Sequence, residues 1–409
     1  MQVAELVSRV LGTNVPIRVV AYDGSKIGPD TAEAAVRIVS PRALARIATA
    51  PNTLGLARAY VTGEIEIDGD LYTVLDAMAS VAVNRLARTE VPQIARQLVP
   101  MWLRYRPRRP ELEYRPPGRL HSKARDQRAI SHHYDVSNRF YAWVLGPSMT
   151  YTCAVYPRPD ATLEEAQAAK HELVAQKLGL RSGMRLLDVG CGWGGMVMHA
   201  AAEHGVRALG VTLSRKQAEW AQEEIRRRGL ERLAEVRHLD YRDVPAEEFD
   251  AISSIGLTEH IGRAQLPAYF RFLYSRLRPE GRLLNHCITH PKDLGRHRTD
   301  PFIARYVFPD GQLEPVGLLV TTMNEAGFEI RHEENLREHY ARTLADWVAN
   351  LEAHWNEAVA EVGAARARTW RLYMTASRVG FERNRIQLHQ ILGVKTNAKG
   401  GSGFPLRGW

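Results

Sequence analysis

The sequence predicts an α/β fold, doubly wound around a parallel sheet in the Rossmann-like manner, with a smaller α+β domain in front of it. Three observations predict this. Between residues 163 and 288, short apolar runs alternate with amphipathic helical runs. The apolar run 184–189 leads into Gly190, Gly192 and Gly194, and an Ala-rich helical stretch, 196–203, follows. Residues 1–100 are set apart by a Pro- and Arg-rich stretch at 101–130.

Bulk properties bound the problem. A chain of 409 residues suggests two or three domains, and 45% apolar residues suffice for a real core. A formal net charge of +9 favours an anionic partner: nucleic acid, phospholipid headgroups or an acidic carrier. Cys153, Cys191 and Cys287 form no Cys-x-x-Cys pair, so neither a zinc ribbon nor a disulfide framework is indicated and no metal site is expected. That usage fits a reducing cytoplasm. The N-terminus lacks the basic start and apolar run of a signal peptide. No stretch is long and apolar enough to span a bilayer, so any membrane would be met at its surface.

Taken in order, residues 16–25 read as a strand ending in a turn, 34–39 as a second strand and 41–49 as a helix. Residues 63–69 alternate apolar and charged, as a half-buried strand does, and 71–82 form a helix. No catalytic cluster falls here, so packing, oligomerisation and substrate presentation all fit. The linker at 101–130 holds Pro107, Pro110, Pro116 and Pro117 among Arg104, Arg106, Arg108, Arg109, Arg115, Arg119, Lys123, Arg125 and Arg128. With Trp102, Leu103 and Tyr105 beside them, these charges suit a lipid surface, or a plain solvated linker. Residues 131–409 form the catalytic domain. A helix spans 163–178. Five strands fall at 184–189, 207–212, 236–239, 249–255 and 282–287, with helices at 216–228, 264–277 and 318–325. The last part, 344–392, reads as helical.

In an open parallel sheet, ligands sit outside the C-terminal strand ends. The first end carries Asp188-Val189-Gly190-Cys191-Gly192-Trp193-Gly194. Its Asp-x-Gly-x-Gly-x-Gly form points to S-adenosylmethionine (SAM) rather than NAD, with glycines that let the backbone press against the ligand. The second end offers Thr212 and Leu213, then Gln217, without the acid that commonly binds ribose hydroxyls. At the third, Asp240 is placed to accept from an adenine amino group, beside Tyr241. The fourth runs from Ile255 through Thr258 and Glu259, and the fifth is Asn285-His286-Cys287-Ile288-Thr289.

Together with His132-His133-Tyr134-Asp135-Val136-Ser137-Asn138 and Ser148-Met149-Thr150-Tyr151-Thr152-Cys153-Ala154, these motifs resemble the cyclopropane fatty acid synthase and mycolic acid methyltransferase family. The resemblance runs from His132 into the C-terminal part. It implies SAM-dependent methylation of the double bond of an unsaturated fatty acyl chain, with Tyr151 and Thr152 added to the SAM site. The chemistry gives a carbocation, which aromatic faces stabilise; Tyr134, Phe140, Tyr141 and Trp143 are the candidates, though most such rings are core. The resemblance further implies a bound bicarbonate as base, at Cys153, Glu259, His286, Ile288 and Tyr340. His286 and Tyr340 would donate to the anion, Cys153 and Ile288 would offer backbone amides, and Glu259 would accept its proton and orient His286. Singly, each residue also fits an ordinary role: a helix cap for Glu259, satisfied core polar groups for His286 and Tyr340, a small apolar residue for Cys153. Thr258 stands where an aromatic is common in the family.

The product is either a cyclopropane or a methylene branch, the second needing a reductase partner to become a methyl branch. The basic linker favours an intact phospholipid at the inner face of the membrane, visited by a peripheral cytoplasmic protein and expected homodimer. Two rivals remain at this stage. A nucleic-acid methyltransferase suits the charge but lacks an Asn-Pro-Pro-Tyr-type motif, so no nucleic acid is expected. A non-catalytic lipid- or SAM-binding module would have no use for the full set of motif positions.

Overall fold

A computed structural model of the chain describes residues 2–11, 17–80, 91–105, 107–134, 137–293 and 299–407. In chain order the elements are α1 (Val3–Leu11), β1 (Arg18–Ala21), β2 (Lys26–Ile27), β3 (Ala35–Ile38), α2 (Pro41–Thr49), α3 (Thr53–Val61), β4 (Ile65–Asp68), α4 (Leu71–Ser80) and α5 (Val91–Tyr105). Then come α6 (Lys123–Tyr134), α7 (Asn138–Leu145), α8 (Leu163–Leu178), β5 (Arg185–Val189), α9 (Gly195–His204), β6 (Arg207–Thr212), α10 (Arg215–Arg227), β7 (Ala234–His238) and β8 (Phe249–Ile255). The chain continues through α11 (Thr258–Ile261), α12 (Leu266–Arg276), β9 (Leu277–Thr289), α13 (Ile303–Tyr306), α14 (Val316–Glu325) and β10 (Glu329–Asn335). It ends with α15 (Arg337–Ala353), α16 (Trp355–Val362), α17 (Ala364–Glu382) and β11 (Gln387–Val394).

Two compact units divide these elements. The first holds residues 1–115, 300–307 and 354–379; the second holds 116–299, 308–353 and 380–409. This differs from the expected boundaries at 100 and 130, because segments 300–307 and 354–379 group with the N-terminal residues. The expected linker is also partly helical. Helix α5 runs on to Tyr105 with Pro100 inside it, and α6 already starts at Lys123.

The first unit contains a four-stranded sheet in the order β2-β1-β3-β4. Its core gathers Ile17, Val19, Ile38, Leu44, Ala59 and Val74. Helix α2 begins where the sequence says it should: the Ser40 side chain accepts from the Arg42 amide, and Pro41 supplies a preset φ at the first helical position.

The second unit is a three-layer sandwich. Its sheet has the order β10-β11-β9-β8-β5-β6-β7. Helices α8, α9 and α10 cover one face with Val174, Leu178, Met196, Val197, Ala221 and Ile225. Helices α12 and α14 cover the other with Leu266, Phe270, Leu273, Leu319 and Met323. Helix α8, which supplies one wall of the site, is closed at both ends by its own sequence. Thr162 and Glu165 form a reciprocal capping box, and Gly179 takes the left-handed conformation that ends the helix.

The sheet is mixed, not wholly parallel. Strand β11 pairs antiparallel with both β9 and β10. Residues 387–392, expected to be helical, are therefore strand, and β10 is a further strand. Strand β11 shows no alternation, and β10 alternates only between half-buried and exposed positions. From Leu388 to Val394 every residue of β11 is buried, polar His389 and Gln390 included, while β10 is a polar run at the sheet edge.

Candidate functional site

The topology dictates where a ligand can sit. From β5 the chain winds outward through β6 to β7, then returns to β8 on the other side of β5. A pocket opens at the resulting switch point, above the C-terminal ends of the strands. Among its lining residues are Tyr151, Thr152, Asp188, Gly190, Gly192, Thr212, Leu213, Gln217, Tyr241 and Ile255, ten of the predicted cofactor residues.

The glycine turn is held from below: the amides of Gly190 and Cys191 both donate to the Val211 carbonyl, at 2.9 and 3.1 Å. Gly190, Gly192 and Gly194 have φ of 77°, 55° and 79°. A Cβ on Gly192 would have only the Gln217 amide nitrogen nearby, at 4.0 Å, so that glycine faces the open pocket. Gly194 serves another purpose and does not line the pocket. Its Cβ would press on Ala221 at 3.2 Å and Val236 at 3.3 Å, so its absence lets helix and sheet approach. The Thr212 hydroxyl donates to Gln217 Oε1 at 2.8 Å, leaving that side chain's amide nitrogen for other acceptors. Asp240 departs from expectation. Its carboxylate is taken by Arg242, through Nε at 2.8 Å and Nη2 at 2.5 Å, and it does not line the pocket. Tyr241 and Arg242 do.

Sequence reading missed Lys170, His171 and Trp193 as lining residues. Trp193 lies inside the glycine motif, and its indole nitrogen donates to Asn138 Oδ1 at 3.0 Å, tying α7 to the turn. Lys170 is 1% exposed and donates to Thr152 Oγ1 at 3.3 Å. Burial pushes Lys170 down to about 7 and Asp188 up to about 6. Nothing in an Ala- and Glu-rich helix announces such a lysine.

A second cluster lies at the ends of β8, β9 and β11. Glu259 is buried on α11, and its Oε1 accepts from the Ile288 amide at 2.7 Å. Its Oε2 is buried with no hydrogen-bond partner. Burial raises the Glu259 carboxyl to about 7. Two expected roles change here. The Ile288 amide is spent on Glu259, so it is not free for an anion, and the group bonded to His286 is Gln390, not Glu259. Nor does the Glu259 side chain cap a helix. Thr258, the departure from the family pattern, ties α11 to β9 through Asn285 Oδ1 at 2.5 Å.

The tautomer of His286 follows from its neighbours. Gln390 faces His286 across the β9–β11 register. Lys177 Nζ, which can only donate, lies 2.6 Å from Gln390 Oε1. The Gln390 amide nitrogen therefore faces His286 Nδ1, at 3.1 Å, and Nδ1 must accept. The ring proton is left on Nε2, a buried atom with no hydrogen-bond partner. Burial, with Lys170 and Lys177 nearby, holds the imidazole well below its ordinary value, so it is neutral and still offers an N–H.

Cys153 and Tyr340 meet at the Leu336 carbonyl, which takes the Cys153 thiol at 3.8 Å and the Tyr340 amide at 3.2 Å. The Ala154 amide donates to Thr343 Oγ1 at 3.0 Å, fixing this loop to α15. Burial pushes the Cys153 thiol far up, so it is no nucleophile. Leu336 in turn donates its amide to Leu388, the register partner of Ile288. The five predicted residues thus share one neighbourhood, separate from the lining of the cofactor pocket.

Aromatic rings join the two places. Tyr151 of the pocket lies 5.2 Å from Trp347, which lies 6.0 Å from Tyr340, which lies 4.6 Å from Phe381. Of the four aromatic candidates, Tyr141 stands 4.7 Å from Trp193 and belongs to this wall. Phe140 packs edge-on against Tyr141 in the core, and Trp143 is stacked by Arg139 at 5.0 Å. The side chains of residues 131–136, Tyr134 among them, lie outside the described residues.

Comparison with known proteins gives the arrangement a context. Residues 121–391 match the family model for mycolic acid cyclopropane synthetase. A Mycobacterium tuberculosis protein named "Probable fatty acid methyltransferase" is 50% identical, with 96% of this chain and 94% of that one covered. A Pseudomonas putida protein of the same name is 35% identical, with 98% of each chain covered. Among solved structures, the cyclopropane synthase MmaA2 of M. tuberculosis matches with TM-score 0.62 and 35% identity, over 65% of this chain and 98% of that one. Mycolic acid cyclopropane synthase CmaA1, complexed with SAH and CTAB, matches with TM-score 0.62 and 34% identity, over 65% and 97%.

Proposed function

The chain belongs to the mycolic acid cyclopropane synthetase family and is a SAM-dependent methyltransferase; from that premise we propose that it methylates the double bond of an unsaturated fatty acyl chain in a membrane phospholipid. The observation that carries this reading is the pair of unpaired polar atoms, Glu259 Oε2 and His286 Nε2, each buried in the cluster next to the SAM pocket. The aromatic rings packed beside the pocket suit an alkene acceptor. Holding the alkene in line with the SAM methyl replaces a bimolecular encounter with a local one. The Tyr141, Tyr151 and Trp347 faces shield the developing cation from water and stabilise it through their negative quadrupoles.

The two unpaired atoms also fit a small planar anion, and bound bicarbonate would supply the base that removes the proton. His286, fixed as the Nε2–H tautomer, donates to such an anion. Glu259, with its carboxyl raised to about 7, holds or accepts a proton at Oε2 while the Ile288 amide steadies Oε1. Cys153 and Tyr340, joined at the Leu336 carbonyl, would complete the anion's surroundings. Asp188, Gly190, Gly192, Thr212, Leu213, Gln217, Tyr241 and Ile255 hold SAM, and Gly194 supports the turn.

For the lipid surface, support comes from the first unit. Val99, Trp102 and Leu103 are exposed on α5, beside Arg104. Apolar side chains with a basic neighbour suit an anionic headgroup layer. Some linker cations are committed elsewhere: Arg125 pairs with Asp310 at 2.7 and 2.8 Å, and Lys123 pairs with Asp243 at 2.5 Å. No helix among the described residues is long and apolar enough to cross a membrane.

The test is incubation with SAM and vesicles of mono-unsaturated phospholipid, followed by NMR and mass analysis of the released acyl chains. An added CH2 seen as a high-field ring signal identifies a cyclopropane synthase. An added CH2 seen as an exocyclic alkene identifies a methylene-branching enzyme, whose product a reductase would consume. Bound SAM without transfer to any acyl chain overturns the proposal.

A further inference from the structure

We propose that Glu172, His199 and His204 form a binding site for a divalent transition-metal ion of the zinc class, which staples α8 to α9 behind the cofactor pocket. Glu172 Oε2 lies 3.2 Å from His199 Nε2 and 3.0 Å from His204 Nε2. The three ligand atoms all fall within 4.8 Å of one another. A tetrahedral zinc with bonds of about 2.0–2.2 Å needs ligand atoms roughly 3.4 Å apart, so the two Glu172 edges are already near that spacing and the third, within 4.8 Å, must close on the ion. Two imidazoles and one carboxylate are also a donor set that zinc, cobalt and nickel all accept, with positions left for water.

The surroundings prepare the site for a cation. Gln176 Nε2 donates to Glu172 Oε1 at 2.9 Å, which orients the carboxylate so that Oε2 faces both rings. All three residues are half-buried, so an ion can enter from solvent. The cysteines, which would otherwise compete for a soft ion, are all buried. The sequence gives no hint of this site, because the ligands are 27 and 32 positions apart and meet only when α8 packs on α9.

The position gives such an ion a consequence. Helix α8 places Lys170 and His171 in the wall of the pocket, and α9 grows directly out of the glycine turn. The His171 and His199 rings stand 5.7 Å apart. An ion bridging Glu172 to α9 would fix the separation of the two helices that frame the methyl-donor end of the enzyme. In its absence the Glu172 carboxylate accepts from both imidazoles, a weaker link of the same kind.

The experiment uses the full chain with any affinity tag removed. Zinc is titrated calorimetrically, cobalt by visible absorption, and thermal unfolding is followed with and without zinc. Saturable binding of one ion per chain, a tetrahedral-type cobalt spectrum and a rise in melting temperature are expected. Glu172→Gln keeps the hydrogen bonds to both rings but should weaken zinc by at least the roughly 10–100-fold that loss of an outer partner costs. His199→Ala with His204→Ala should abolish binding and the thermal shift together. Absence of saturable binding, or an ion held equally well by the double variant, overturns the proposal.

Discussion

The two halves of the site are built by different rules. The SAM half, at β5, β6 and β7, consists of short continuous motifs: a glycine turn, Thr212-Leu213 with Gln217 one helical turn later, and Tyr241-Arg242. Its turn is shaped by backbone conformation, with Lys170 and Asp188 buried beside it. The other half, at β8, β9 and β11, brings Cys153, Glu259, His286, Tyr340 and Gln390 together from five separated stretches of chain. There the work is done by buried polar side chains, two of which keep an atom without a partner. Each such atom costs stability. The contrast teaches that a cofactor pocket can be built locally from turn residues, while the proton transfer proposed for the second cluster calls on buried polar groups that folding alone would not favour.

The largest effect should come from separating the halves by function. Glu259→Ala should lower turnover by about 10²–10⁴-fold, the usual worth of a positioned acid–base group, with SAM affinity nearly unchanged. Stopped turnover with the SAM dissociation constant measured separately decides this. A parallel loss of SAM binding would erase the distinction drawn above. The same carboxyl carries a stability cost of predictable sign. Its folded value of about 7 lies above its ordinary 4.5, so the folded state binds the proton more tightly and stability is lost as pH rises between them. Glu259→Gln removes that titration. Its unfolding free energy should match the wild type at and below pH 4.5 and exceed it above pH 7, by an amount on the order of 3 kcal/mol. An equal difference at both pH values would place the cost elsewhere.

What the sequence made legible follows the same division. The bounds of α2, α8, β6 and β8 agree residue for residue with the expected ranges, because caps, Pro41 and apolar runs are local signals. Ten of the twelve expected cofactor residues, read from spacing and resemblance, line the pocket at the switch point. Strand β11 was not, since a strand buried on both faces lacks alternation, and its polar residues are buried only because Lys177 and His286 receive them. Lys170 was missed for a related reason: its depth is set by the packing of α8 on the sheet, which no window of sequence contains. Asp240 does not line the pocket, and Arg242, two residues on, bonds its carboxylate.

The SAM half can be broken by backbone alone. Gly192→Val forces a β-branched residue into φ of 55° and projects its side chain into the pocket. No neighbour is crowded, so the fold should survive. The strain is worth about 1–3 kcal/mol, and with the lost space SAM should bind at least about tenfold to a hundredfold more weakly. Unchanged affinity would remove Gly192 from the cofactor site. An equal fall in SAM affinity and in overall stability would make it a folding position.

The smallest effect tests the proton half most sharply. Gln390→Glu keeps an oxygen for Lys177 but has no N–H to give to His286. Its carboxylate can only accept, so His286 must donate from Nδ1, and Nε2 loses its proton. The donor aimed into the site becomes an acceptor without any change in volume or in the ring itself. Turnover should fall by about tenfold, near the worth of one hydrogen bond to a charged group. The affinity for SAM should hold, and added bicarbonate should recover part of the rate if an anion is what His286 holds. Nitrogen NMR of the imidazole would show the proton moving from Nε2 to Nδ1. If the proton stays on Nε2, the tautomer is not set by Gln390. If it moves and turnover does not fall, His286 takes no part in removing the proton, and the work falls to Glu259 alone.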